Sequence, residues 1–221
     1  MTPPEVETLS SLEGPEQELA AARSRAYALF SEGLAYPDDE LRESLIDGGL
    51  AQPLRECLTA ISTEITNSPE CWRALQEVGD TDDLAIEFTR LFDAGASGPP
   101  CPLYGGLYAG DRMAKMEEAV RFYNHFGLTL SDEQRELPDH ITTELEFMHF
   151  LAYREVEALQ AGVDPGSYRR AQRDFVARNL GSWIPKLCER LEKEGGAAYF
   201  QTLLGLLAEL LKADGKHFSS V

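Results

Sequence analysis

The chain has 221 residues, 43% of them hydrophobic and 26% charged, with 38 Asp plus Glu against 20 Lys plus Arg and a formal net charge of -18. That length and balance suit one globular domain that buries its own core. The negative field disfavours nucleic-acid backbones and anionic lipid surfaces as partners and favours basic peptides.

Residues 1–14 carry Pro3, Pro4 and several Glu and Ser without periodicity, and are expected to form an N-terminal tail. From Pro15, the residues Leu19, Ala22, Ala26, Leu29, Phe30 and Leu34 recur at steps of three and four. This places them on one helical face, which should stop near Tyr36-Pro37. Shorter helical patterns follow at 39–47, 53–66 and 69–78. Asp80 and Thr81 are capping candidates for a helix bearing Leu84, Phe88, Leu91 and Phe92.

Ala94 to Gly106 reads AGASGPPCPLYGG, with Gly or Pro at seven of thirteen positions. A link of that length without a hydrophobic period is uncommon inside a compact domain and is often functional. Met113, Met116, Val120 and Tyr123 define the next helix, stopped at Phe126-Gly127, and a polar connector from Ser131 to Glu136 leads to Pro138-Asp139-His140.

The segment 139–161 is expected to be the central helix. At 100° per residue His140, Glu144, Phe147 and Leu151 share one face and Ile141, Leu145, Met148 and Ala152 the adjoining one, while Phe150 widens the apolar arc beyond half the circumference. Asp164-Pro165 starts another helix, Trp183, Leu187 and Leu191 continue into a further one broken at Gly195-Gly196, and Phe200 to Leu211 gives a last amphipathic helix. No alternating strand and no internal repeat is found. The expected fold is all-α, a single domain over 15–216 with nine or ten helices and a short C-terminal tail from 217 to 221.

Four scattered cysteines, Cys57, Cys71, Cys101 and Cys188, form no C-x-x-C pair and no zinc-type spacing with His, and so read as reduced thiols. Met1 to Leu12 lacks the charged and apolar regions of a signal peptide, and no apolar run approaches the roughly 20 residues of a membrane span. The expected location is the cytoplasm.

Neither the phosphate-cradling P-loop pattern nor a strand leading into G-x-G-x-x-G is present. Glu146 and His149 have Glu-x-x-His spacing, but a di-metal helical bundle needs two such motifs and two more carboxylates. Cys101 with His125 or His140 has no local nucleophile signature, and a small apolar residue anchoring the loop is the plainer reading.

A cluster suited to recognition remains. The stiff loop Pro99 to Tyr104 presents an aromatic residue at little ordering cost. His140 and Glu144, one turn apart beside an apolar stripe, would give a polar spot at the edge of a groove for a peptide with basic residues. In the alternative, Asp139 caps the helix and Glu144 pairs with a neighbouring arginine such as Arg112.

The run Pro138-Asp139-His140-Ile141-Thr142-Thr143-Glu144-Leu145-Glu146-Phe147-Met148 resembles the P-D-H-[LI]-x-x-E-L-E-F-M signature of the NarJ-like branch of the TorD/DmsD/NarJ chaperones. The resemblance extends to Glu87-Phe88-Thr89-Arg90-Leu91-Phe92 and to Cys101 through Tyr108, with Leu103 where proline is usual and Gly106 where serine is usual. It continues through Phe122-Tyr123-x-x-Phe126-Gly127-Leu128 and through Phe175-x-x-x-Asn179-Leu180-x-x-Trp183, with Asn179 where histidine is usual.

The resemblance implies an all-helical, non-enzymatic assembly chaperone without a cofactor of its own. Such a chaperone binds the twin-arginine leader or N-terminal segment of a molybdopterin oxidoreductase catalytic subunit before export. It implies Pro138, Asp139 and His140 as peptide-binding residues, with Tyr104 and Glu144 beside them. The competing expectations are a helical metal-dependent oxidase using Glu144, Glu146, His140 and His149, or a structural subunit retained in the mature enzyme.

Overall fold

Helices with apolar residues every three or four positions each have one face to bury, and a helix whose apolar arc exceeds half its circumference must be enclosed. In the computed structural model, which describes residues 12–65, 69–76, 81–96, 98–129 and 136–219, that enclosed helix is α7, Ile141–Gln160. Both of its expected faces are buried, from Glu144, Phe147 and Leu151 on one to Ile141, Leu145, Met148 and Ala152 on the other.

Nine further α-helices surround it among the described residues: α1 (Pro15–Gly33), α2 (Asp39–Ile46), α3 (Ala51–Ile61), α4 (Pro69–Gln76), α5 (Thr81–Phe88), α6 (Arg112–His125), α8 (Gly166–Arg178), α9 (Leu180–Glu194) and α10 (Ala198–Phe218). The all-α expectation holds. α7 lies along α1 on one side and α8 on the other, and α10 packs on α8 and α9.

Local chemistry explains most boundaries. Asp38 caps α2 by accepting from the Leu41 amide at 3.0 Å, and Asp111 caps α6 through the Ala114 amide at 3.0 Å. α3 ends at Ile61, five residues short of the expected 66, where Ser62 turns extended. α8 starts one residue after Pro165, with the Asp164 carboxylate accepting from the Gly166 amide at 2.9 Å. Gly195 ends α9 in the left-handed region at φ 64, where a glycine pays no steric penalty. α5 runs on into a π-helical turn, Thr89–Asp93, that delivers Leu91 and Phe92 to the core. Residues 1–11, the capping candidate Asp80 and the connector from Ser131 to Arg135 lie outside the described residues.

Two ends of the chain meet in a buried polar network. Arg23 Nε of α1 donates to Asp214 Oδ1 of α10 at 2.6 Å, Tyr27 Oη donates to Asp214 Oδ2 at 2.7 Å, and the Arg23 guanidinium lies 5.2 Å from the Phe218 ring centroid. His217 and Phe218, expected in a C-terminal tail, are instead the last residues of α10, because burying Phe218 against Arg23 repays extending the helix. At the other end of α1, a Cβ on Gly33 would sit 2.8 Å from Leu203 Cδ2 and 2.9 Å from Leu50 Cδ2, so a larger residue there would push both leucine ends aside.

Removing one partner of a buried ion pair leaves the other charge uncompensated, at a cost of about 3–5 kcal/mol. We expect Asp214→Ala to lower unfolding free energy in urea by about that much, and Arg23→Met in the same background to recover part of it. A loss below about 1 kcal/mol would show the network to be structurally idle.

Candidate functional site

The P-D-H segment is a turn that feeds α7. The His140 amide donates to the Leu137 carbonyl at 3.0 Å, and Tyr123 Oη of α6 donates to the Pro138 carbonyl at 2.7 Å. His140, not Asp139, is the N-cap of α7: its Nδ1 accepts from the Thr142 amide at 3.4 Å and lies 2.7 Å from Thr142 Oγ1. The first bond of the helix runs from the Glu144 amide to the His140 carbonyl at 3.0 Å.

Asp139 is thereby free to turn away from its helix and bind the Gly-Pro loop. Its carbonyl accepts from the Gly105 amide at 2.8 Å and its Oδ2 accepts from the Gly106 amide at 2.9 Å, while the Ile141 amide donates to the Leu103 carbonyl at 2.9 Å. The two glycines are required by distance. A Cβ on Gly106 would lie 2.8 Å from Asp139 Oδ2 and 2.7 Å from Arg112 Cγ, and one on Gly105 would lie 2.8 Å from Trp183 Nε1. Upstream, the Cys101 amide donates to the Leu91 carbonyl at 2.8 Å, and the side chain is fully buried. Burial pushes its thiol up to about 11, so it is protonated at neutral pH and anchors the loop, as the plainer reading expected.

The expected site residues divide into two layers. In the inner layer, Asp139 and Glu144 are each 1% exposed and present no open carboxylate at the surface. The side of α7 expected to edge an open groove is packed over, with Trp183 of α9 on Glu144 and Tyr123 of α6 and Phe175 of α8 on Phe147, and the short 3-10 turn Gly105–Leu107 lies beside Trp183. Glu144 Oε2 accepts from Trp183 Nε1 at 3.0 Å, rather than from Arg112, and Trp183 in turn stacks on Tyr108 with ring centroids 5.5 Å apart. Burial raises the Glu144 carboxyl to about 8, a shift the Trp183 hydrogen bond partly opposes and the nearby Asp139 charge adds to. Asp139 Oδ1 has no hydrogen-bond partner among the described residues.

In the outer layer, Tyr104 Oη donates to Glu136 Oε2 at 2.7 Å, and the Tyr104 and His140 rings meet edge to face with centroids 4.9 Å apart. His140 Nε2 lies 3.8 Å from Glu136 Oε2. Burial lowers the His140 pKa, against the opposing pull of Glu136, Asp139 and Asp93, so the ring is neutral at pH 7. The exposed Asp93 carboxylate acts on both Tyr104 and His140. The Arg112 guanidinium stands 5.8 Å from the Tyr104 ring centroid. Pro138 is half-buried, and Leu107 and Leu137 beside this group are 44% and 39% exposed.

Glu136 and Trp183 are the members that sequence reasoning did not place here. The first stands one helical turn before His140; the second arrives from a helix 39 residues downstream of Glu144 and leaves no local signal. The metal-ligand set considered from sequence is not brought together. His149 is buried against α1 with Nδ1 2.9 Å from both Ser24 Oγ and the Ser24 carbonyl oxygen, and burial lowers its pKa. Among the described residues no group of three or more His, Cys, Asp or Glu side chains is arranged to hold a metal.

A carboxyl whose folded pKa is raised binds more protons folded than unfolded. Its contribution is present below the ordinary carboxylate pKa and is lost as pH rises toward about 8. We expect Glu144→Gln, which keeps an oxygen for Trp183, to gain stability relative to the parent as pH rises from 5.5 to 8.5, by at least about 1.4 kcal/mol, the worth of one pKa unit. Denaturant titrations at those two pH values measure it, and a parallel pair of curves would contradict the buried-acid assignment.

The sequence profile of the nitrate reductase delta subunit family matches residues 47–189 of the chain. A perchlorate reductase assembly chaperone protein from Dechloromonas aromatica (strain RCB) is 32% identical over 198 residues, covering 87% of this chain and 88% of that one. A dimethyl sulfide dehydrogenase assembly chaperone protein from Rhodovulum sulfidophilum is 31% identical over 209 residues, covering 89% and 81%. A chlorate reductase assembly chaperone protein from Ideonella dechloratans is 36% identical over 149 residues, covering 63% and 77%. With more than half of its length matched and a relative above 30% identity along most of both chains, this protein belongs to the nitrate reductase delta subunit family, within the TorD/DmsD/NarJ group.

Proposed function

We propose that this protein is a cytoplasmic, non-catalytic assembly chaperone that holds a basic, partly apolar N-terminal segment of a molybdopterin oxidoreductase catalytic subunit until the molybdenum cofactor is inserted. The names of its relatives support the assembly role. The observation that carries the peptide reading is the acidic mouth around the Tyr104–His140 pair. Exposed Asp93 and half-buried Glu136 stand by the two rings, the exposed Leu137 follows Glu136 in the chain, and the amide of the exposed Leu107 donates to the Tyr104 carbonyl at 3.1 Å.

Each residue has a distinct part in this reading. Glu136 and Asp93 attract paired arginines, whose planar forks bind carboxylates bidentately. Half-buried Tyr104 and Pro138, backed by the buried His140 ring, form a rigid platform for the apolar stretch, and rigidity lowers the ordering cost of binding. Asp139 and Glu144 act from beneath, Asp139 by pinning the loop and Glu144 by fixing Trp183 under it. The overall charge of -18 speeds encounter with a basic segment, an effect weakened by salt.

Calorimetric titration with a synthetic peptide of two adjacent arginines followed by eight apolar residues tests this directly. We expect Tyr104→Ala combined with Glu136→Gln to weaken binding at least tenfold, or about 1.4 kcal/mol, while Glu144→Gln changes it less than threefold at pH 6.5. Equal affinity in the Tyr104/Glu136 double variant and the parent would remove this surface from the function. Pull-down of the partner from the native cell, followed by identification of its cofactor content, tests the molybdoenzyme assignment separately.

A further inference from the structure

A second surface has the opposite charge. α6 carries Arg112, Lys115 and Arg121 against Glu117 and Glu118, and α8 carries Arg169, Arg170, Arg173 and Arg178 against Asp174. Arg112 turns to the Tyr104 ring and Arg169 pairs with Glu155 and Glu16, which leaves five cations beside three carboxylates, a local surplus of two positive charges in a chain whose net charge is -18. Between these helices lies a groove of about 430 Å³ with exposed Arg121, Arg170 and Arg178 on its rim and half-buried Phe122 and Phe126 in its floor. The floor is rigid: Phe122 packs edge to face on Phe175 of α8 at 5.2 Å, and Phe126 lies 5.7 Å from Tyr168.

The rim cations are lightly committed. Arg121 Nη1 stands 3.9 Å from Glu117 Oε2, with both side chains about two-thirds exposed, a pair worth little in water. Arg178 pairs with Glu118, a carboxylate that also takes Lys115 at 3.2 Å, and Asp174 is held by Arg173 at 2.9 Å. Arg170 joins no ion pair among the described residues. An incoming carboxylate therefore displaces no strong partner and meets at least two guanidinium groups able to bind it bidentately.

We propose that the α6–α8 groove docks an acidic segment of a protein partner, one that alternates carboxylates with an aromatic or large aliphatic side chain. Shape favours a polypeptide over a small anion. The α8 wall runs from Ser167 to Arg178, about 16 Å at the helical rise, which matches about five residues of extended chain. The aromatic floor gives a side chain a place that a bare phosphate leaves empty. The site is independent of the basic-segment surface proposed above, since none of its lining residues belongs to that group.

The test uses the full chain and an octapeptide of alternating glutamate and phenylalanine, with the lysine-phenylalanine and glutamate-alanine octapeptides and inorganic pyrophosphate as comparisons. We expect the glutamate-phenylalanine peptide to bind with an affinity that falls as salt rises. Arg121→Gln with Arg170→Gln should weaken it at least tenfold, with circular dichroism and the affinity for a basic peptide unchanged. Parent-like affinity in that variant would overturn the site. Equal affinity for the glutamate-alanine peptide, or full displacement by pyrophosphate at matched charge, would reduce it to a small-anion site and overturn the polypeptide reading.

Discussion

The hydrogen bonds from Asp139 to the Gly105 and Gly106 amides hold together two segments more than thirty residues apart, and the geometry around the start of α7 depends on them. The Gly106 amide donates to the Asp139 carboxyl and the Gly105 amide to its backbone carbonyl, so the loop meets both the side chain and the main chain of one residue. Because Asp139 spends its side chain on the loop, capping of α7 falls to His140, which fixes that largely buried ring edge to face against Tyr104. The close approach of the loop leaves no room for a Cβ at residue 106 beside Asp139 or at residue 105 beside Trp183.

This arrangement places two acidic groups where an open-surface reading of the P-D-H-x-x-x-E run would not. Glu144 is held largely as the neutral acid by burial, and its one bond to Trp183 ties α7, α9 and the loop into a unit. The carboxylates that solvent reaches beside the Tyr104–His140 pair are Glu136 and Asp93, which stand outside the run. The most polar members of a motif can therefore serve as its scaffolding.

Charge is also distributed more unevenly than the total suggests. The net of -18 implies an acidic surface throughout, yet α6 and α8 present a positive groove to solvent. Lys115 and Arg121 of one helix and Arg170, Arg173 and Arg178 of the other lie on segments separated by α7 in sequence, and only the packing of Phe122 against Phe175 brings them into one field.

The sequence by itself determined the helices and the fact that α7 is central. Period-3.6 spacing, the helix start at Asp164-Pro165 and the breakers at Gly127 and Gly195 act locally, and an apolar arc wider than half a helix has to be enclosed wherever it packs. The segment 138–148 and its family resemblance were equally legible there. What only the tertiary structure decided was which side chains face solvent. Trp183 covers Glu144 from a distant helix, Gly105 makes room for Trp183 and Gly106 for Asp139, and Glu136 stays half-open to solvent, because burial is a property of what packs against a residue and not of its neighbours along the chain.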